Sequence, residues 1–522
     1  MSAKILKSVS AVGSMTLLSR ITGLVRDVIF ANILGDKAAA DVFFVALRIP
    51  NFFRRIFGEG ALSAAFVPVF TDYRMHRSEA EVSAFLQLML GRFGLLLIVI
   101  SALGVLFAPV LVAVLAAGFL DDPGKFEAAV SATRITFPYL FFISLVAVSA
   151  GMLNTCGRFA APAATPVLLN LCLIGAALLL VPRMSSSPDA LAIGVFVAGV
   201  VQLLFQIPFV RRERLTIRPR VVARTADQAG VNGVRRVVKL IVPAIFGVSV
   251  AQVNVFVNTI LASFLVTGSI SWLYYADRLM EFPVGVFGIA LSTVILPHLS
   301  RIRYEKSGNG FSRTLDWASR WVVLVCIPAT VGLIMLAEAL VATIFFHGGF
   351  TSNGVRMTAL SLIAFSIGMP AIVMVKVHAA GFYAHQDTRT PVRVAMYAMG
   401  LNILFCLALV MPLKHVGLAL ATSLSMFFNA IWLFRLLWQR GMFRPEPGWG
   451  AFLLRLILAC LLMGLFLWQF RGDTGLWMDL SVYQRPVRLL VLIGTAGLIY
   501  ISTLWLSGLR PRELVIPDKT ES

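Results

Sequence analysis

The stretch FGLLLIVISALGVLFAPVLVAVL, residues 93–115, carries no charged side chain and is long enough to cross a bilayer as a helix. Other apolar runs follow along the chain, at Leu168–Val181, Val322–Leu336, Leu401–Val410, Leu453–Phe470 and Val487–Leu506. The 522 residues are 59% hydrophobic and 13% charged, which is too apolar for a soluble domain. These runs are also longer than the alternating segments of an outer-membrane barrel. The sequence therefore predicts an all-α polytopic membrane protein.

About fourteen transmembrane helices fit the pattern of apolar runs. They are predicted at residues 10–33, 41–69, 86–117, 130–152, 161–181, 190–210, 238–264, 272–298, 316–344, 355–380, 391–411, 416–437, 449–470 and 487–509. Span eight repeats features of span two, since Phe57-Gly58 and Ala61-Leu62-Ser63 match Phe287-Gly288 and Ala290-Leu291-Ser292. We therefore expect two six-helix lobes around a central cavity, plus two C-terminal helices.

The domain organisation follows from this repeat. We predict an N-lobe at residues 1–210, a basic linker at 211–239 that could form an amphipathic helix, and a C-lobe at 240–437. Residues 438–522 hold the last two spans and a tail.

The net charge of +20 comes from arginines and lysines concentrated in alternate loops. The linker is the richest of these loops, whereas Asp121-Asp122 lies in one that is poor in basic residues. This positive-inside pattern predicts that both termini are cytoplasmic, and it argues against a nucleic-acid partner. Binding of acidic lipid head groups is a second interpretation of the same residues.

The first predicted span is interrupted by charge, because its centre is SRITGLVRD, residues 19–27. An arginine in the hydrocarbon region costs about 2.5–3.5 kcal/mol on insertion scales, so Arg20 and Arg26 need a wet cavity or an anionic ligand. The two arginines are six residues apart and do not share one helix face. Bending at Gly23, or a wide cavity, would let both reach one ligand.

Spans two and eight repeat this arrangement of charge at membrane depth. The residues are Asp41, Arg48, Arg54, Arg55 and Glu59 on span two, and Asp277, Arg278 and Glu281 on span eight. Arg55 and Glu59 are four residues apart and can pair on one face. Arginine matches paired phosphate oxygens, so a phosphate or pyrophosphate ligand fits best. Static ion pairs such as Asp27 with Arg26, Asp41 with Arg48 and Asp277 with Arg278 are the alternative.

Enzyme motifs are missing from the sequence. We find no nucleotide-binding loop, no HExxH, no GxSxG and no metal-ligand spacing among the histidines. The five cysteines form no CxxC pair and are expected to be core residues. We predict a transporter without a cofactor, driven by an ion or the membrane potential.

Several stretches resemble the MurJ (MviN) family of lipid II flippases. They are residues 19–27, residues 41–46, residues 50–61 with PNFFRRIFGEGA, residues 272–283 with WLYYADRLMEFP, residues 381–384 with GFYA, residues 390–391 and residues 412–415 with PLKH. Gly58 before Glu59 departs mildly from the family, which usually has alanine there. The resemblance covers nearly the whole chain and places it in the multidrug/oligosaccharidyl-lipid/polysaccharide exporter superfamily.

The resemblance implies alternating-access flipping of undecaprenyl-pyrophosphate-linked peptidoglycan precursor, lipid II, across a bacterial inner membrane. The family's cavity arginines fall on Arg20, Arg26 and Arg278, with Arg54 as a further substrate-binding position. Asp27, Asp41, Arg48, Arg55, Glu59, Asp277 and Glu281 are predicted as gating or cavity charges. A monomer among membrane lipids, associated with the cell-wall synthesis machinery, is the expected state.

Other functions remain open at this stage. A flippase for another polyprenyl-pyrophosphate oligosaccharide would need the same arginines. A multidrug antiporter of the same fold would favour acidic residues alone in its cavity. A membrane glycosyltransferase would need a catalytic carboxylate and a long outer loop.

Overall fold

The computed structural model describes residues 3–55, 61–215, 218–224, 227–304 and 310–510. Within these ranges the regular structure is helical. The chain divides into two compact units, Met1–Ile270 and Ser271–Ser522.

Among the residues that the structure describes, the first unit contains ten α-helices. They are α1 (Ala3–Leu34), α2 (Ala38–Phe53), α3 (Ala61–His76), α4 (Glu79–Leu106), α5 (Ala108–Leu115), α6 (Pro123–Thr136), α7 (Tyr139–Thr155), α8 (Ala160–Leu179), α9 (Ser187–Arg212) and α10 (Gln228–Ser263). A short 3₁₀ turn, Ala117–Asp121, connects α5 to α6.

The described part of the second unit contains eight α-helices. They are α11 (Ser269–Tyr304), α12 (Gly310–Met335), α13 (Ala337–Phe345), α14 (Ser352–Ala384), α15 (Arg389–Gln439), α16 (Trp449–Phe470), α17 (Thr474–Asp479) and α18 (Gln484–Leu506). α15 is two helices joined at a kink, because Lys414 has φ 51° and ψ −133° just after Pro412.

The predicted spans agree with these helices, mostly within a few residues. Span thirteen was predicted at 449–470 and is observed as α16, Trp449–Phe470. Spans eleven and twelve are the two halves of α15, and span four is divided between α6 and α7. In the described part of the chain, nine helices are long and apolar enough to cross a membrane, and α1 is not among them. The all-helical membrane fold is confirmed, whereas the count of fourteen stays a prediction.

Aromatic packing fixes the centre of the first unit, where α3, α4 and α7 meet. Phe66 stacks on Phe70 with ring centroids 5.4 Å apart, and Tyr73 lies 4.8 Å from Phe85. Each aromatic side chain buries a large apolar area, and the preferred geometry of its ring restricts how the helices pack. The contact of Tyr73 with Phe85 therefore packs α3 against α4.

The linker is not a separate amphipathic helix over residues 218–224, which run without regular helix. The next helix, α10, begins at Gln228, so residues 228–239 of the predicted linker are the first part of α10. The Arg220 N–H donates to the carbonyl of Gln87 on α4 at 2.9 Å, so this backbone group of the linker is satisfied by α4 rather than by a helix of its own. The domain boundaries predicted around this linker stay predictions.

Candidate substrate-binding site

Arg26 is locked into a network that joins α1 to α8. Its Nε and Nη2 donate to Asp27 Oδ1 at 3.0 and 2.7 Å, and its Nη1 donates to Asn170 Oδ1 at 2.9 Å. The residues of the ion pair are only 6% and 1% exposed. This pairing is the static alternative that the sequence left open for Arg26 and Asp27.

Asn170 completes the network from the side of α8. Its Nδ2 donates to the Ser19 carbonyl at 3.0 Å and to Thr22 Oγ1 at 3.1 Å. The chain runs helically through Gly23, where an added Cβ would meet Asn170 Nδ2 at 3.5 Å. That distance is an ordinary van der Waals contact, so Asn170 approaches α1 closely at Gly23, and α1 has no break there.

Arg20 differs from Arg26 in its surroundings. It is half-buried, and we find no hydrogen bond or ion pair of Arg20 to any residue that the structure describes. Leu17, Ile21 and Leu24, which lie within one turn of it, are exposed by 39–58%. Arg20 thus lies at the border of an open face of α1, where its guanidinium can accept an anionic ligand.

Asp41 lies in the first turn of α2 and is 1% exposed. Lys125 Nζ on α6 lies 3.4 Å from Asp41 Oδ2, and the Gly268 N–H donates to the same oxygen at 2.8 Å. Lys125 also lies 3.4 Å from Thr267 Oγ1. We call Asp41, Lys125, Thr267 and Gly268 the Asp41 latch. It ties the connection after α10 to α2 and α6.

Two of the remaining charges of span two, Arg54 and Arg55, follow Pro50 at the end of α2, whereas Arg48 precedes it. Arg54 Nε donates to Asn51 Oδ1 at 3.3 Å, and Arg55 Nη1 donates to Gln252 Oε1 on α10 at 3.2 Å. Residues 54–55 continue α2 in a wider π-type turn, a feature frequent at functional sites. Arg48 is half-buried. Glu59 lies outside the described residues, so its predicted pair with Arg55 stays a prediction.

The second unit carries its own charged cluster on α11. Arg278 Nη1 donates to Glu281 Oε2 at 2.7 Å, and the guanidinium lies 5.5 Å from the Tyr274 ring centroid. The side chains of this pair are 39% and 46% exposed, and Asp277 is half-buried. An exposed pair contributes only about 0–1 kcal/mol, so an anionic ligand can displace Glu281 from Arg278 at low cost.

Sequence reasoning missed two partners in the first unit, Asn170 and Lys125. Asn170 and Asn402 follow matching glycine and proline positions in the internal repeat, and both are buried; Asn170 bonds to α1, and Asn402 bonds to Ser425 across the kink of α15. That match was an available signal. Lys125 is a lone lysine beside Asp121-Asp122, in a loop otherwise poor in basic residues. Its position against Asp41 is a tertiary contact that spacing does not encode.

The arrangement of helices defines a class of protein first. The fold is similar to that of a multidrug resistance transporter of the MATE family in the MOP superfamily, in its inward-facing conformation, with a TM-score of 0.66. That comparison covers 83% of this chain and 97% of the other at 14% identity, so it shows the fold alone. The chain is a polytopic membrane protein with the fold of MOP-superfamily transporters.

A closer match narrows the class. A solved structure titled "Lipid II flippase MurJ, inward closed conformation" has a TM-score of 0.80 at 27% identity, over 96% of this chain and 99% of that one. The family model described as "Lipid II flippase MurJ" matches residues 30–485.

Curated relatives agree with this match. The probable lipid II flippase MurJ of Haemophilus influenzae is 41% identical, over 96% of this chain and 99% of its own length. The Vibrio cholerae protein of the same name is 43% identical, over 98% of both. The chain belongs to the MurJ family.

Proposed function

We propose that this chain is a lipid II flippase, a transporter that moves undecaprenyl-pyrophosphate-linked peptidoglycan precursor between the leaflets of a bacterial inner membrane. Family membership supports this proposal. The observation that assigns particular residues to the substrate is the exposure of two arginines, Arg20 on α1 and Arg278 on α11. Both have exposed surface, and the described ion pair of Arg278 with Glu281 is exposed, unlike the buried pair of Arg26 with Asp27.

Arg20, Arg54 and Arg278 are the proposed contacts of the pyrophosphate. A guanidinium offers a planar fork of donors that matches two phosphate oxygens and stays charged at every relevant pH. Arg26 has its described donors turned toward Asp27 and Asn170. Its proposed part is therefore to hold α1 against α8, so that Arg20 keeps its position.

Transport by alternating access would need an outer closure that opens and re-forms. The Asp41 latch is the proposed closure. α1 ends and α2 begins at one end of the first unit, and α9 delivers the chain to the basic linker at the opposite end. Lys125, Thr267 and Gly268 lie with Asp41 at the end away from the linker.

The proposal also covers the orientation of the chain in the membrane and the energy source for transport. The positive-inside distribution supports cytoplasmic termini and a cytoplasmic linker, which places the latch on the periplasmic side. Because the sequence has no nucleotide-binding loop, an ion gradient or the membrane potential is the proposed driving force. The monomeric state and the association with cell-wall enzymes stay predictions.

The proposal is tested in cells that depend on this protein as their only flippase. Arg20→Ala and Arg278→Ala should each insert at normal levels and fail to support growth, because the pyrophosphate loses a charged contact. Arg183→Ala is the matched control, since Arg183 is an exposed arginine in the turn before α9. Normal growth of both variants at normal protein levels would mean that these arginines do not bind the substrate.

A further inference from the structure

A groove of about 530 Å³ opens on the first unit between α4, α7 and α9. Gly94 and Ile98 of α4, Leu145 of α7, and Leu203 and Ile207 of α9 are among its lining residues. Ile98 is 53% exposed, so the groove is open along its side. It contains none of the charged residues of the candidate substrate-binding site.

The basic linker forms one wall of this groove. Its Pro219 and Val221 line the space, and Arg92 Nε on α4 donates to the Val221 carbonyl at 3.1 Å. A Cβ on Gly91 would lie 2.3 Å from the Arg220 carbonyl oxygen, so only glycine allows this approach. The linker is therefore held against α4, and the groove is a built feature of the fold.

The rim of the groove is positively charged. Arg211 lines it at the end of α9, and the exposed Arg212, Arg214 and Arg218 follow in the chain. The neighbouring acid, Glu213, is paired with Arg158 at 2.8 Å and does not offset this charge. Arg211 thus places a positive charge at the apolar groove, and three further exposed arginines follow it within seven residues of the chain.

The depth of the groove matches a lipid chain. Leu203 precedes Arg211 by two turns of α9, which corresponds to about 12 Å along the helix axis. Half of a hydrocarbon core is about 15 Å thick. An acyl chain lying along α9 would therefore leave its phosphate at the level of Arg211.

We propose that this groove binds an acidic phospholipid, such as phosphatidylglycerol, from the leaflet that faces the linker. One acyl chain occupies the apolar groove between α4 and α9, and the phosphate pairs with Arg211 and Arg218. A zwitterionic phospholipid fits the apolar part of the groove equally well, but it has no net negative charge to pair with the arginines at the rim. Bound lipid would brace the linker against α4 and α9.

Native mass spectrometry of the full-length purified protein tests this proposal, with phosphatidylglycerol and phosphatidylcholine titrated separately. Phosphatidylglycerol should bind more tightly than phosphatidylcholine. Arg211→Gln and Arg218→Gln should each weaken phosphatidylglycerol binding by roughly fivefold, the usual effect of one basic residue near a membrane surface. Arg183→Gln, at the opposite end of α9, should leave that binding unchanged.

A second pair of variants tests the apolar part of the groove. A Cβ on Gly94 meets no atom within 4 Å, so Gly94→Phe should fill the groove and lower binding of both lipids. Gly175→Phe on α8 is the control, because its Cβ also meets no atom within 4 Å and it does not line the groove. Equal binding of the two lipids by the wild type would overturn the proposal. Arginine variants that bind phosphatidylglycerol like the wild type would overturn it as well.

Discussion

Arg26 and Arg278 are both arginines within membrane-depth helices, but their surroundings give them different roles. The Arg26 side chain is 8% exposed beside an Asp27 side chain that is 2% exposed, whereas the Arg278 side chain is 39% exposed beside Glu281. Breaking a buried pair leaves an uncompensated charge and costs about 3–5 kcal/mol. Breaking an exposed pair costs about 0–1 kcal/mol. Residue type alone does not distinguish these cases.

Arg26→Ala should therefore destabilise the protein, because it leaves the Asp27 carboxylate buried without its guanidinium. We expect a loss of about 3–5 kcal/mol in the free energy of unfolding. Asn170→Ala should cost about 1–3 kcal/mol, because Arg26 then loses one acceptor. Thermal unfolding of the purified protein in detergent measures both effects.

A double variant separates this structural role of Arg26 from a direct contact with substrate. Arg26→Ala with Asp27→Ala removes both charges and should recover part of the lost stability. If Arg26→Ala instead unfolds like the wild type while substrate transport is lost, Arg26 acts as a ligand, and the network with Asn170 is secondary.

Among the elements, the connection from α10 to α11 is held at two points in the first unit. Gly268 donates to Asp41 from a backbone with φ 101°, a conformation that favours glycine. Just after α5 ends, the chain enters the 3₁₀ turn Ala117–Asp121, whose Gly118 N–H donates to Ser263 Oγ at 3.0 Å. A Cβ on Gly118 would lie 2.2 Å from the Ser263 carbonyl oxygen. These two contacts close the end of the unit that faces away from the linker.

Opening of this closure is measurable with Thr259→Cys, since Thr259 on α10 is only 2% exposed. In a background without the five native cysteines, a membrane-impermeant maleimide should label it slowly. Asp41→Asn should raise the labelling rate by roughly tenfold, which requires a shift of only about 1.4 kcal/mol in the opening equilibrium. Asp121→Asn, an exposed acid in the neighbouring connection, is the control. Equal labelling in both variants would show that Asp41 does not hold this end closed.

The kink in α15 depends on a close backbone approach. A Cβ on Gly417 would lie 2.3 Å from the Leu409 carbonyl oxygen across the kink. Gly417→Ala should therefore lower stability by about 1–3 kcal/mol, the usual cost of overpacking. Gly400→Ala in the same helix meets no atom within 4 Å and should raise stability by about 0.5–1 kcal/mol. Unfolding midpoints that shift in the same direction for both variants would contradict this account of the kink.

At the scale of the whole molecule, the sequence predicted the positions of the helices better than the contacts that their side chains make with other helices. Apolar runs fix where helices lie, so α16 was predicted with its observed bounds and α15 was predicted as two spans. Spacing reports only neighbours within one helix, and it therefore offered Arg48 as the partner of Asp41. The structure adds Lys125 and Gly268, which come from distant parts of the chain. The same limit applies to Asn170, whose contact with Arg26 spans 144 residues.

The sequence predicted the charged residues as one set, whereas their burial in the structure separates them into two groups. Arg26, Asp27 and Asp41 are buried in contacts within the first unit, whereas Arg20 and Arg278 keep exposed surface. The substrate-binding roles of the arginines and the gating roles of Asp27 and Asp41 stay predictions. Burial decides which arginine can meet a ligand, and burial depends on how helices pack rather than on the order of residues.

This chain carries lipid II across the membrane. The most direct measurement is depletion of the protein from cells that contain no second flippase, followed by labelling of lipid II on the periplasmic face. We predict that labelled lipid II disappears from that face while the precursor accumulates inside, and that wild-type protein restores it whereas Arg278→Ala does not. Continued appearance of lipid II on the periplasmic face after depletion would contradict the account.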